Sequence, residues 1–272
     1  MLAKAANLLK EYQKAKGTAV SGIIDNPFVI FAIFLVAQWF AAYIGDFVRS
    51  RRRPAKTDEL ADLDVVQTAT LTLLALIIGF SFSMAVSRYD QRKDYEEAEA
   101  NAIGTEYLRA DLLPAESALA VRNLIRQWLN QRVEFYQRKG ERHVGQVEAE
   151  TEKLQAELWS TILPTANAHP TPITALAVAG MNDMLNAQSR TQGAWWNRIP
   201  TAAWGLMGFI AIACNVLLGY SERRRGALLL LVVPIIVSIS VLLIADIDSP
   251  RGGIIRVHPH NLIALSQSIK AP

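Results

Sequence analysis

The sequence predicts an all-α integral membrane protein with four transmembrane helices and a helical bundle inserted between the second and the third. Hydrophobic residues make up 51% of the 272 residues, yet 19% of the residues are charged. That mixture is typical of membrane spans joined to a water-exposed part. The prediction depends on four long apolar runs and on one amphipathic region between the second and third of them.

Each apolar run is long enough to cross the membrane as a helix. A hydrocarbon core ~30 Å thick requires ~20 apolar residues in helical conformation, and the runs occupy residues 28–48, 65–87, 199–219 and 227–247. Pro27 and Pro200 fit helix starts, and arginine clusters at 49–53 and 223–225 mark membrane boundaries. Pro234 lies inside the fourth run and predicts a kink there, because proline removes a backbone hydrogen bond.

The region between the second and third runs, 88–198, has helical periodicity and no strand pattern. The helix of the second run continues to Pro114, and further helices are predicted over 115–139, over 141–163 with an end before Pro164, and from Ile173 to the third run. Apolar residues recur at spacings of three and four, which places them on one face of each helix. These faces predict a soluble bundle of helices packed against each other.

The chain is thus predicted to have five parts. The N-terminal segment has apolar residues opposite several lysines, which is typical of a helix lying on the membrane surface. It has no apolar stretch followed by a small-residue cleavage site, so no signal peptide is expected. The parts are the amphipathic N-terminal segment (1–26), the first transmembrane pair (27–87), the soluble helical bundle (88–198), the second transmembrane pair (199–247) and the C-terminal segment with the motif DSPRGG (248–272).

Several classes of function are excluded by composition and motifs. The net charge of +3 comes with arginines beside apolar runs, which predicts topology signals and no nucleic-acid partner. His258 and His260 lack a third ligand nearby, so an interfacial polar turn is expected there and no metal site. No glycine-rich phosphate loop, nucleophile elbow or HExxH helix is present. The sequence therefore predicts no enzyme and no cofactor.

The arginine distribution predicts an orientation in the membrane. Both short loops between spans are rich in arginine, and short loops with positive charge stay in the cytoplasm. Both termini and the helical bundle are then extracytoplasmic, with the chain in a bacterial inner membrane. Lys4, Arg88 and Lys93 are among the cations near the opposite membrane ends, and they favour the reverse orientation.

One face of the second predicted span carries small and hydroxylated residues and continues into acidic residues beyond the apolar run. Its spacing of three, four or seven residues places these positions on one side of a helix: Thr68, Thr72, Gly79, Ser83, Ser87, Asp90, Asp94 and Glu97. One interpretation is a packing seam, because small residues let membrane helices approach closely and the carboxylates can pair with neighbouring arginines. The other is the lining of a water-filled path with an acidic mouth that attracts cations.

The fourth span ends in the polar sequence DIDSPRGGIIRV. Carboxylates at a helix C-terminus oppose the helix dipole at a cost of a few tenths to ~1 kcal/mol each, so Asp246 and Asp248 are expected to have partners or a role. Arg251 and Arg256 are the nearest cations in sequence, and Pro250 with two glycines allows the chain to turn back. The motif predicts a juxtamembrane ion-pair latch, with a substrate or ion site as the alternative.

Four stretches together resemble the bacterial bestrophin-like domain family of four-span membrane proteins. They are LTLLALIIGFSFSMAVSRYDQRKDYEEAEANAIGTEYLRADLLP, MNDMLNAQSR, RIP and DIDSPRGGIIRV, within residues 65–113 and 173–262. The resemblance implies a relation to bestrophins, which are pentameric, largely anion-selective channels whose second span lines the pore. It therefore implies self-association, with a pentamer as one expected state.

Two hypotheses of function follow. The first is a homo-oligomeric ion channel or permeation pathway of bestrophin-like type, in which the second span lines the path for small ions across the lipid bilayer. The second is a non-conducting membrane sensor or scaffold whose helical bundle binds a partner or ligand. The acidic face continuous with the small-residue face favours the first.

Overall fold

The computed structural model describes residues 26–51, 57–137, 141–221 and 229–270. The backbone of this part is helical and contains no strand. Its helices are α1 (Pro27–Arg51), α2 (Thr57–Arg109), α3 (Ala115–Gln137), α4 (Glu141–Ala168), α5 (Pro172–Trp196), α6 (Thr201–Ser221), α7 (Leu229–Asp248) and α8 (His260–Lys270), with a 3-10 turn at Ala110–Leu112. The N-terminal segment predicted over 1–26 lies, except for Asn26, outside the described residues.

Four stretches of the described part are helical and apolar enough to cross a membrane, and they confirm the predicted all-α membrane protein. They lie within the longer helical segments Pro27–Arg51, Asp62–Leu112, Pro172–Ser221 and Leu231–Asp248, and the apolar run of the second segment ends at Ser87. Asn26 caps the first of them, because its side-chain oxygen accepts a hydrogen bond from the N–H of Phe28 at 3.1 Å. Pro234 lies inside α7.

The chain divides into two compact units. The first contains the residues up to Val86 together with Arg198–Ile255, and the second contains Ser87–Asn197 together with Arg256–Pro272. Helices α1, α6 and α7 lie in the first unit, whereas α3, α4, α5 and α8 lie in the second. Helix α2 contributes residues to both units.

In the first unit, glycines allow α1 and α6 to pack backbone against backbone. A Cβ atom on Gly45 of α1 would lie 2.1 Å from the carbonyl oxygen of Val216, and one on Gly219 of α6 would lie 2.0 Å from that of Ala42. No side chain larger than hydrogen fits at such distances. The two helices therefore use the small-residue packing that is common between membrane helices.

Three polar side chains also join the helices of the first unit. Gln38 of α1 donates from Nε2 to the hydroxyl of Ser238 on α7 at 3.1 Å, and Asn215 of α6 donates from Nδ2 to Oε1 of Gln38 at 3.0 Å. All three residues are buried. Hydrogen bonds of this kind satisfy polar groups within apolar spans and are worth ~0.6 kcal/mol on average.

The second unit has an extensive hydrophobic core. Its fully buried side chains come from five helices and include Ile103 of α2, Trp128 and Leu129 of α3, Leu158 and Ile162 of α4, Met181 and Met184 of α5 and Leu262 of α8. Phe135, Tyr136 and Trp195 add edge-to-face ring contacts with centroids 5.0–5.6 Å apart. Burial of these apolar faces is the main term that stabilises such a bundle.

Two features of the second unit differ from the sequence prediction. Helix α4 does not end before Pro164 but continues to Ala168. Proline removes only one N–H donor, and the turn after it is held by a hydrogen bond of 2.7 Å between Thr165 and Ser117 of α3. In addition, the C-terminal segment contains helix α8, which the local sequence pattern does not indicate.

Candidate functional site

The predicted pore-lining face of α2 is exposed within the first unit. Thr68, Thr72, Gly79 and Ser83 are all exposed. The Thr68 and Thr72 hydroxyls donate to the carbonyl oxygens four residues earlier, at 2.8 and 2.9 Å, so these side chains are satisfied inside the helix. A Cβ atom on Gly79 would meet nothing within 4 Å. This face is therefore open to lipid, water or a second copy of the chain.

The acidic continuation of that face is exposed within the second unit. Ser87, Asp90, Asp94 and Glu97 are all exposed. Among the residues that the structure describes, none forms a hydrogen bond or an ion pair with the carboxylate of Asp90, Asp94 or Glu97. A packing seam within one chain would pair these charges with neighbouring arginines. The three carboxylates therefore do not form such a seam within the described part of a single chain.

Other acidic residues of α2 are buried instead, and sequence reasoning missed them. Glu99 has no exposed surface and accepts hydrogen bonds from Nε and Nη2 of Arg132 on α3, the latter at 3.3 Å. The Thr191 hydroxyl on α5 donates to the same carboxylate at 2.9 Å. This buried ion pair joins three helices of the second unit.

Glu96 holds the start of helix α8. Its carboxylate accepts a hydrogen bond from the backbone N–H of Leu262 at 3.0 Å and another from the side-chain amide of Asn261 at 2.7 Å. Both donors belong to the first turn of α8, where backbone N–H groups have no partner within the helix. A carboxylate there is also favoured by the helix dipole.

Arg92 is the buried cation on the same side of α2. Its Nε donates to the carbonyl oxygen of Ala194 at 3.3 Å, and its Nη2 donates to that of Asn197 at 3.4 Å. These carbonyls lie at the C-terminal end of α5, where unpaired oxygens carry partial negative charge. Arg92 thus caps α5 within the second unit.

A spacing signal for these buried residues is present in the sequence. Arg92, Glu96, Glu99, Ile103 and Glu106 are separated by three or four residues and share one face of α2. Four of these five side chains are charged and only Ile103 is apolar, so hydropathy does not mark the face as buried. Partners on distant helices compensate the burial of Arg92, Glu96 and Glu99.

Two carboxylates at the C-terminal end of α7, Asp246 and Asp248, hold backbone groups of the first unit. Oδ1 of Asp246 accepts from the N–H of Ile254 at 2.7 Å and Oδ2 from that of Ile255 at 2.8 Å. Both carboxylate oxygens of Asp248 accept from the N–H of Ile199, at 3.1 and 3.2 Å. The two aspartates are buried, so these bonds satisfy the expectation that they have partners.

Gly253 precedes these two N–H groups, and only glycine allows the chain to pass so close to Asp246. A Cβ atom on Gly253 would lie 2.5 Å from the carbonyl oxygen and 2.7 Å from Oδ1 of Asp246. The Ser249 hydroxyl accepts from the N–H of Gly252 at 3.0 Å and closes the turn. Pairing of the aspartates with Arg251 and Arg256, which are half-buried, stays a prediction.

The described part contains no group of three or more His, Cys, Asp and Glu side chains placed to hold a metal ion. The rings of His258 and His260 lie 5.8 Å apart. Both residues are exposed, and His260 begins α8.

The described part combines four spans, an open face of α2 and a loop after α7 whose backbone N–H groups bind Asp246. These features define a class of all-helical, four-span membrane proteins. The sequence model of the bestrophin-like domain matches residues 29–262. The chain therefore belongs to the bestrophin-like domain family.

Solved structures show the same fold. A bacterial bestrophin homologue from Klebsiella pneumoniae superposes with a TM-score of 0.58 at 13% identity, covering 89% of this chain and 95% of that one. A variant of the Klebsiella pneumoniae homologue with a tryptophan replaced by alanine gives 0.58 at 13% identity, covering 88% and 93%. A structure described as a membrane protein gives 0.58 at 14% identity, covering 88% and 95%. No curated protein sequence matches the chain.

Proposed function

We propose that the chain is one subunit of a homo-oligomeric ion channel of the bestrophin type in a bacterial inner membrane. The path is lined by the open face of α2, with Asp90, Asp94 and Glu97 at its mouth. The observation that carries the proposal is that these three carboxylates are exposed and without partners in the described part of the chain. Exposed carboxylates beside a path raise the local concentration of cations.

Self-association is part of the proposal, because the four spans of one chain are too few to surround a central pore. Helix α2 also exposes apolar side chains, among them Leu76 at 52% and Phe80 at 64%. In the membrane these contact lipid or another copy of α2. Membership of the bestrophin-like family supports a ring of identical subunits, and a pentamer is the state that we propose.

Neutralising the acidic mouth is expected to lower the preference for cations without preventing assembly. The variant combines Asp90→Asn, Asp94→Asn and Glu97→Gln, and the measurement is the reversal potential of protein in liposomes under a salt gradient. A control variant with Glu116→Gln, Glu150→Gln and Glu152→Gln removes three carboxylates from α3 and α4 and should behave as the wild type.

Three outcomes count against the proposal. Collapse of the oligomer in the α2 variant would show that the acidic face is a packing seam between copies. An equal change of the reversal potential in both variants would show a general charge effect. Well-folded oligomers that pass no small ion, with or without an applied potential, would leave the membrane sensor or scaffold as the function.

The proposed topology places the short loops in the cytoplasm and the second unit outside. In a Cys214→Ala background, cysteine at Ser50→Cys is expected to be shielded from an impermeant thiol reagent in intact cells, whereas cysteine at Glu116→Cys should react. Both positions are exposed in the structure, so accessibility within the fold does not differ. The reverse labelling pattern would place the second unit in the cytoplasm.

A further inference from the structure

Glu106 is a buried acid that none of the roles above includes. It lies on α2 about 19 residues after the apolar run ends at Ser87, which is roughly 28 Å along a helix axis, so it is outside the membrane-spanning segment. The side chain has no exposed surface. Neither carboxylate oxygen has a hydrogen-bond partner in the described structure, although buried carboxylates normally have several.

Helix α5 closes the space around this acid. A Cβ atom on Gly180 would lie 2.0 Å from Oε2 of Glu106 and 2.6 Å from Nη1 of Arg109. A larger residue at position 180 would displace the ends of these two side chains, so glycine lets α5 pack directly on Glu106 in its present position. Both carboxylate oxygens are buried, so bulk water, which an ionised carboxylate needs, does not reach them in this packing.

Two charged groups act on Glu106 from the helices that pack around it. Arg109 lies on α2 and lowers the pKa of the Glu106 carboxyl, whereas Asp183 lies on α5 and raises it. Burial is the largest cause, and it raises the pKa to about 8. The guanidinium of Arg109 beside the acid also disfavours a metal cation as occupant, which leaves a proton as the ligand that the site accepts.

We propose that Glu106 is a proton-binding site of the second unit and that it holds a proton at neutral pH. When Glu106 loses this proton in mildly alkaline solution, the packing of α5 on α2 at Gly180 becomes looser. The protonated carboxyl is neutral and tolerates the closed environment. The ionised form requires water or a donor, and the closed packing at Gly180 supplies neither until α5 or the Arg109 side chain packed beneath it moves. The inference does not depend on ion conduction.

The direction of the pH effect follows from linkage. The unfolded chain has a Glu106 carboxyl with an ordinary pKa near 4.5, and the folded chain has one with a pKa of about 8. Between these values the folded state binds the additional proton. The stabilisation from the protonated acid is therefore fully present below the lower value and is lost as pH rises through the upper value.

The test is the thermal stability of the full chain in mild detergent from about pH 6 to about pH 9. The melting temperature of the wild type is expected to fall across this range, and that of Glu106→Gln should fall much less, because the amide does not ionise. Glu116→Gln removes an exposed acid from α3 and should keep the wild-type profile. A wild-type profile in Glu106→Gln would overturn the proposal.

A second measurement applies even where Glu106→Gln fails to fold. The infrared C=O band of a protonated carboxyl should be present in the wild type at neutral pH and disappear as pH rises through about 8. Asp183→Asn removes an exposed like charge and should lower the midpoint, because the ionised form of Glu106 becomes less unfavourable. Absence of the band at neutral pH would show that Glu106 is ionised there. A midpoint that Asp183→Asn does not lower would show that Asp183 has no effect on Glu106. Either result would contradict the proposal.

Discussion

Arg132→Met is expected to destabilise the protein by about 3–5 kcal/mol, since removal of one partner of a buried ion pair leaves an uncompensated charge. Arg132 is 1% exposed and Glu99 is 0% exposed. After the substitution, the Thr191 hydroxyl is the remaining donor that the structure shows for the Glu99 carboxylate. The guanidinium carbon also lies 4.4 Å from the centroid of the Phe135 ring, so methionine loses this cation–π contact but keeps an apolar side chain in the core. The loss is therefore electrostatic rather than one of packing.

The measurement is chemical unfolding in detergent, and two variants separate the causes. The double variant Arg132→Met with Glu99→Leu should be more stable than Arg132→Met alone, because it leaves no buried charge. Arg122→Gln breaks the more exposed pair with Asp111 and should cost at most ~1 kcal/mol. If Arg132→Met costs no more than Arg122→Gln, the buried pair does not hold the second unit together.

Gly219→Ala is the second substitution with a large expected effect. The new Cβ atom would lie 2.0 Å from the carbonyl oxygen of Ala42, and a backbone atom cannot move aside as the end of a side chain does. Helices α1 and α6 must separate, which costs roughly 1–3 kcal/mol or more by analogy with overpacked cores. Separation also weakens the hydrogen bond between Asn215 and Gln38.

Gly205→Ala provides the matched control for this substitution. Gly205 lies in the same helix, and a Cβ atom there would meet nothing within 4 Å. Alanine is the better helix former, so this variant should be as stable as the wild type or slightly more stable. The readout is the thermal stability of each variant in detergent. Equal stability of the two alanine variants would contradict close packing of α1 on α6.

The membrane fold could be predicted from the sequence because a span is a local signal. Each span needs ~20 apolar residues in sequence, and no distant contact is required to recognise them. Helix α8 could not be recognised in the same way. Its first turn is held by Glu96, a residue 166 positions before Leu262, and an 11-residue helix is marginal without such support.

The acidic residues of α2 show the same limit. Periodicity predicts which side chains share a face, and the three that it groups together, Asp90, Asp94 and Glu97, are all exposed. It does not predict that Glu99 and Glu106 are buried, because burial depends on what α3 and α5 present to α2. In the DSPRGG motif, the cost of two carboxylates at a helix end predicts partners. The backbone N–H partners themselves are visible only in three dimensions.

The hydrogen bonds of Asp246 have a consequence for how an ion meets the protein. Each oxygen of that carboxylate is fixed by its own backbone N–H, so the group has a set orientation and little remaining capacity for a hydrated ion. The carboxylates of Asp90, Asp94 and Glu97 have no such restraint in the described structure, so their side chains keep their rotational freedom. Carboxylates thus form a rigid joint at the end of α7 and a set of unrestrained, exposed groups on α2.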